Sequence, residues 1–335
     1  MNRELVEKIA HAMLYEGYVL YPYRPSVKNR QRWTFGGVYP KAWSDAQGGA
    51  DAWTMQTQCV AVARPDAKLQ ISVRFLQLVD RMICDPSSQQ VDSLDVGDKS
   101  YQPWQEALER DIDLGEVALA DLLAQSRQHE FSFAENRLVE RLQDDGFVIR
   151  QQQAIAGAVE LSAVHVGDEL YRISVKVLNH TSLPQEASRD AALMRSLVST
   201  HTLLGIQGGE FVSSIDPPEQ FRAAAVDCQN IGAWPVLVGD APQRDTMLSS
   251  PIILYDYPQV APESPGDLFD STEIDEILTL RIMTLTDDEK RDAAAVDDRV
   301  RDVLARTDSL AREQLMSLHG TVRGLRPVPQ EQHHG

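Results

Sequence analysis

The chain has 335 residues, 43% of them hydrophobic and 24% charged, with a formal net charge of −18. That length suffices for roughly two domains with buried cores, and the summed negative field disfavours non-specific binding to nucleic acid or anionic lipid. No stretch approaches the roughly 18 apolar residues of a membrane span, and the opening MNRELVEKIAHAMLYEGY carries Glu4 and Glu7 with no apolar run suited to a signal peptide. The expected setting is the cytoplasm, without a nucleic-acid or membrane partner.

In chain order, Leu5, Ile9, Ala12 and Met13 recur at helical spacing, which predicts a short amphipathic helix ending before Gly17. The period then changes to two. Gln58 to Ala63 and Leu69 to Phe75 alternate apolar and polar residues around Arg64, Pro65 and Asp66, a pattern that predicts a β-hairpin. A second hairpin is expected from Ala154 to Leu178, turning at Gly167-Asp168; its Tyr171, Ile173, Val175 and Val177 share one face. The stretches QISVRFLQ (70–77) and RISVKVLN (172–179) echo one another. Two explanations stand for the echo: duplicated β-rich halves, or two amphipathic strands alike because period two permits few solutions.

Between the hairpins, Pro86 to Lys99 reads as a polar loop, Gln105 to Asp113 as helix or strand, and Leu114 to Ser126 and Ala134 to Gln143 as helical by spacing. Arg189 to His201 reads as a helix, and Trp234 to Gly239 and Pro251 to Tyr257 as short buried strands. Beyond Pro258 three helices are expected over 271–285, 287–306 and 308–319. Thr286 and Glu289 form a capping box for the second, and the tail from Arg323 is expected to be loose. The fold class is therefore α+β: β-rich, with sandwich-like antiparallel sheets and a helical C-terminal region. The expected organisation is an N-terminal β-rich domain over 1–145, a second over 146–260, a helical region over 261–322 and a loose terminus over 323–335.

Recognisable catalytic chemistry is absent from the sequence. The three cysteines, Cys59, Cys84 and Cys228, form no CxxC and are expected to be reduced and mostly buried. No HxH, HExxH or HxxxH pairs the eight histidines, GIQGG lacks the pattern of a phosphate loop, and no GxSxG elbow occurs. In the acidic run GDLFDSTEIDE (266–276), Asp270 and Ser271 read as helix caps and Glu273 as a partner of the helix dipole rather than as metal ligands. No metal, no cofactor and no catalytic residue is expected, and an enzyme is the less favoured class.

The unusual stretch is YPYRPSVKNRQRWTFGGVYP (21–40). Between Glu16 and Asp45 there is no acid, while Arg24, Lys28, Arg30, Arg32 and Lys41 stand among Tyr18, Tyr21, Tyr23, Trp33, Phe35, Tyr39 and Trp43. Arginines interleaved with aromatics suit an acidic partner or a carboxylate or phosphate ligand, and equally an internal clamp on the acidic remainder of the chain. The candidate partner- or anion-binding residues are Tyr21, Tyr23, Arg24, Lys28, Asn29, Arg30, Arg32 and Trp33, joined by Glu263 and Asp267.

Two segments, LYEGYVLYPYRPSVKNRQRWTFGGVYP (14–40) and SSPIILYDYPQVAPESPGDLFDSTEIDEILTLRIMTLTDDEK (249–290), cover about a fifth of the chain. They resemble parts of uncharacterised accessory proteins encoded beside the structural and maturation genes of high-affinity, actinobacterial-type [NiFe] hydrogenases, and LYRISVKVLNHT resembles them more loosely. The resemblance implies an accessory or assembly factor that binds a hydrogenase subunit or another hydrogenase accessory protein, and it supplies no catalytic residues. Two alternatives stand beside it. One is an enzyme or small-ligand-binding protein with an anion pocket built from residues 21–40 and 258–276, where Arg24, Lys28 or Arg32 holds the anion and Glu263 or Asp267 acts as base. The other is a structural subunit of a larger assembly.

Overall fold

The computed structural model describes residues 9–11, 14, 36–258 except 98, 144 and 185, and 285–287, 290, 301, 304, 305 and 309. The fold is α+β and β-rich. It is dominated by one strand, β1 (Thr54–Cys84), long enough to take different neighbours along its length. Its first part, Thr54–Val62, pairs with β10 (Leu170–Asn179), and its second, Lys68–Arg81, pairs with β5 (Trp104–Ala118). On the opposite edge β11 (Val198–Phe211) comes first and β8 (Gly146–Gln152) follows.

The remaining strands extend this frame. β9 (Ile155–Gly167) forms a hairpin with β10, and β6 (Arg127–Phe133) adds to β9. β7 (Asn136–Leu142) pairs with β8, while β13 (Thr246–Ser250) and β12 (Trp234–Leu237) extend the sheet beyond β11. β2 (Gln90–Val91) closes on the end of β1, and β3 (Leu94–Val96) with β4 (Lys99–Tyr101) makes a separate ribbon. All of these pairings are antiparallel. The sheet curls back on itself: Phe131 and Phe133 of β6 pack on Phe75 of β1, with ring centroids 6.2 and 5.8 Å away.

Strand alternation explains the core. Met55, Cys59, Ala61, Leu69, Ile71, Val73 and Phe75 of β1 face inward with Val159 and Leu161 of β9 and Ile173, Val175 and Val177 of β10. Helix α2 (Leu119–Ala124) covers this core with Leu119 and Leu122. Smaller helices α1 (Lys41–Ala46), α3 (Arg189–Leu193) and α4 (Arg222–Val226) lie at the margins. On the opposite face of the sheet, Ile9 and Ala10 pack with Leu203, Val236, Leu248 and Leu254, and Leu14 packs with Leu76, Leu78 and Val198.

The second predicted hairpin forms as β9 and β10, but the first does not. Residues 54–84 make one strand, and Arg64 to Ala67 bulge out of the pairing opposite Gly208, between the Ala63–Gly209 and Lys68–Gln207 partners. Pro65 lacks the amide hydrogen a ladder needs, and a bulge tolerates that without reversing the chain. Ala134 to Gln143 is strand rather than helix, because its helical spacing is overridden by pairing with β8. Arg189 to His201 is helical only to Leu193 and then becomes β11. The expected domain division at 145/146 falls in the β7–β8 turn, and strands from both sides of it share the main sheet. The two echoing stretches lie in β1 and β10, where Ile71, Val73, Ile173 and Val175 occupy equivalent inward positions. Among the described residues, no helix is long and apolar enough to cross a membrane. The helices expected over 271–319 fall almost wholly outside the described residues.

Candidate functional site

Tyr21, Tyr23, Arg24, Lys28, Asn29, Arg30, Arg32, Trp33, Glu263 and Asp267 all lie outside the described residues. The structure does show where their segments meet the fold. The first arrives at Gly36 and the second leaves from Pro251, and these two residues touch: a Cβ on Gly36, whose φ is +54°, would stand 2.2 Å from the Pro251 Cβ. Glycine is required there both by the left-handed backbone and by this close approach. The Gly36 carbonyl also accepts a hydrogen bond from the Thr200 amide, at 3.3 Å, on β11.

The sequence SSPIILYDY around this contact builds an exposed apolar ridge. β13 ends at Ser250, and Pro251, which has no amide hydrogen to donate, stops the pairing. From there the side chains alternate. Ile252 and Leu254 pack on the Leu203–Val236–Leu248 cluster, whereas Ile253 is 73% and Tyr255 77% exposed. The expectation of a buried strand over Pro251 to Tyr257 therefore fails: no strand continues past Ser250, and Ile253 and Tyr255 are exposed. Trp234, the register partner of Ser250, is a further exposed aromatic at the edge strand β12.

The far end of the ridge is pinned by Asp256. One carboxylate oxygen accepts from the Leu237 amide at 2.8 Å and the other from the Ser213 hydroxyl at 2.5 Å, while the Tyr257 amide donates to the Leu237 carbonyl at 2.7 Å. Ser213 Oγ in turn accepts from the amides of Ile215 and Asp216. The outer edge of β12 is thus occupied at Leu237 and donor-free at Pro235, which protects it from pairing with another strand.

The near end rests on a buried histidine. Between the Arg74–His201 and Leu76–Val198 pairs, β11 spends two residues, Ser199 and Thr200, where β1 spends one. This β-bulge puts Ser199 at φ +51°, a left-handed conformation disfavoured for serine. The Ser199 carbonyl lies 2.7 Å from His201 Nδ1; a carbonyl only accepts, so Nδ1 carries the proton. Nε2 is then the acceptor, and Ser250 Oγ donates to it at 3.3 Å while accepting from the Ile252 amide at 3.1 Å. Burial, with a smaller contribution from the neighbouring Arg74 cation, pushes the His201 pKa down to about 4, against the opposing effect of the Ser199 carbonyl. The ring is neutral at pH 7.

Serine, imidazole and orienting carbonyl have the connectivity of an activated nucleophile. Both side chains are fully buried, however, so the pair acts as a support for Ile252 and the ridge beyond it. The other two histidines of this region lie apart, His165 against Tyr171 and His180 against Trp53. The signal for the ridge was present, since Ile252 to Tyr255 has two readings, a continuous apolar run or a two-sided period-two segment, and only tertiary packing chooses between them.

No family model matches the chain, and no curated protein is significantly similar to it. Function therefore rests on this geometry and on the two segments that meet within it.

Proposed function

We propose that the protein is an accessory or assembly factor of a [NiFe] hydrogenase system, acting by protein–protein binding through the face that carries Ile253 and Tyr255. The carrying observation is the ridge itself. Two large apolar side chains stand almost free in water while their immediate neighbours are packed and hydrogen-bonded, so the exposed conformation is imposed by the fold. Exposed aromatic and aliphatic anchors held on a rigid support are the usual core of a binding surface, because little conformational freedom is lost on association. The ridge belongs to one hydrogenase-accessory-like segment and Gly36 to the other, and their contact makes the two parts of one surface. The partner is a hydrogenase subunit or another hydrogenase accessory protein.

Affinity purification of the tagged protein from its native cells, grown under hydrogenase-inducing conditions and followed by mass spectrometry, tests this function. Recovery of hydrogenase subunits or maturation proteins in stoichiometric amounts is the expected result. Recovery of the protein without them, from cells in which the hydrogenase is abundant, contradicts it.

A further inference from the structure

Arg110 sits on β5 between two acids, Glu109 and Asp111, yet pairs with neither. Alternation sends both carboxylates to the other face of the sheet, where Glu109 meets Arg74 and His11 and Asp111 stands 4.0 Å from Arg74. On its own face Arg110 has no carboxylate within ion-pair distance among the described residues. Its guanidinium lies over the ring of Phe133, 4.6 Å from the centroid. Nε donates to Gln77 Oε1 at 2.8 Å and Nη2 to Gln152 Oε1 at 3.4 Å.

Those amide oxygens are themselves fixed. Gln77 is fully buried and donates to the Gln153 carbonyl at 2.7 Å; Gln152 donates to the Ala134 carbonyl at 2.8 Å. Neutral acceptors therefore orient the guanidinium without neutralising it. They occupy its side edge, formed by Nε and Nη2, and leave the end edge, formed by Nη1 and the second Nη2 hydrogen, pointing away from both amides. Among the described residues Nη1 makes no hydrogen bond, and Arg110 is half-buried. Two nearby acids are engaged elsewhere, Glu106 by Arg81 and Arg150 and Glu140 by Arg150. A guanidinium placed over an aromatic ring and tethered by neutral amides keeps its charge and its planar fork, the chemistry that pairs with a carboxylate.

We propose that Arg110, stacked on Phe133 and held by Gln77 and Gln152, is a carboxylate-binding site. Its ligand is a free small carboxylate or the carboxylate of an acidic peptide. The site is independent of the Ile253–Tyr255 ridge and stands or falls without it.

The test is a titration of the full-length, ¹⁵N-labelled protein, followed at the Arg110 Nε–H resonance and the Gln77 and Gln152 side-chain amides. Oxalate, an aspartate-rich peptide and inorganic phosphate are added separately, with ionic strength held constant by chloride. Saturable shifts at all three groups with a carboxylate probe, absent with chloride alone, are expected. Tighter binding of the peptide assigns the ligand to a protein segment, and tighter binding of oxalate assigns it to a metabolite. Arg110→Lys keeps the charge but removes the planar fork, and is expected to weaken binding by about tenfold or more. Should that variant not fold, Gln152→Leu, which frees one tether of the guanidinium, is expected to weaken binding as well. Shifts reproduced by chloride, tighter binding of phosphate than of either carboxylate, or undiminished binding in the variant that folds would overturn the proposal.

Discussion

At the scale of single residues, two side chains on β11 carry the tension of the structure. His201 is neutral in the fold because protonating it would place a charge where water cannot reach and would remove the acceptor that holds Ser250. Its folded pKa lies near 4, below the ordinary value of 6.5, so between these values the unfolded chain binds the extra proton and stability falls as pH is lowered through that window. The loss approaches roughly 3 kcal/mol by pH 4 and is absent above pH 7. Urea unfolding of the wild type and of His201→Asn at pH 7 and pH 4.5 measures it: the variant should be weaker at pH 7 by about 1–3 kcal/mol and should lose part of the acid dependence. Equal acid dependence in the two proteins would show that His201 is not the group responsible. Ser199 offers the converse case. It adopts a left-handed conformation and its buried hydroxyl has no hydrogen-bond partner among the described residues, so Ser199→Gly removes both penalties and should raise stability by about 1 kcal/mol, read as a higher melting temperature.

At the scale of elements, legibility followed the length over which one period persisted. The β9–β10 hairpin was readable because its alternation is unbroken and its turn is short. β1 was misread as a hairpin because Arg64, Pro65 and Asp66 carry turn chemistry, and sequence alone cannot distinguish a chain reversal from a bulge that rejoins its partner after four intervening residues. β7 looked helical because Leu138, Val139 and Leu142 have helical spacing; as a mostly exposed strand it offers no inward stripe to reveal its period. The site was less legible than the fold. Its functional geometry depends on Pro251 meeting Gly36 and on Ser250 meeting His201, contacts between residues far apart in the chain. Close approach of strands makes its own prediction at Gly157, where an added Cβ would lie 2.3 Å from the Leu178 carbonyl and 2.5 Å from Phe131. Gly157→Ala must push β9 from β10 or displace Phe131 from the aromatic trio, and should destabilise the protein by about 2–3 kcal/mol in equilibrium unfolding. An unchanged unfolding midpoint would mean that β6 adjusts freely.

At the scale of the whole molecule, a curled antiparallel sheet buries its core, and among the described residues the exposed Ile253, Tyr255 and Trp234 are distinctive surface features of an acidic chain. The ridge at Ile253 and Tyr255 is where packing, hydrogen bonding and the contact with Gly36 coincide, so the proposed binding function rests on it. Reversing its character while sparing its support is the direct test: Ile253→Asp with Tyr255→Asp, assayed by quantitative co-purification with hydrogenase subunits beside the wild type. Both positions are solvent-exposed, so the melting temperature should shift by no more than a few degrees, while recovery of the partner should fall by about tenfold or more. Full partner recovery by a folded double variant would contradict the central claim that this ridge is the binding surface.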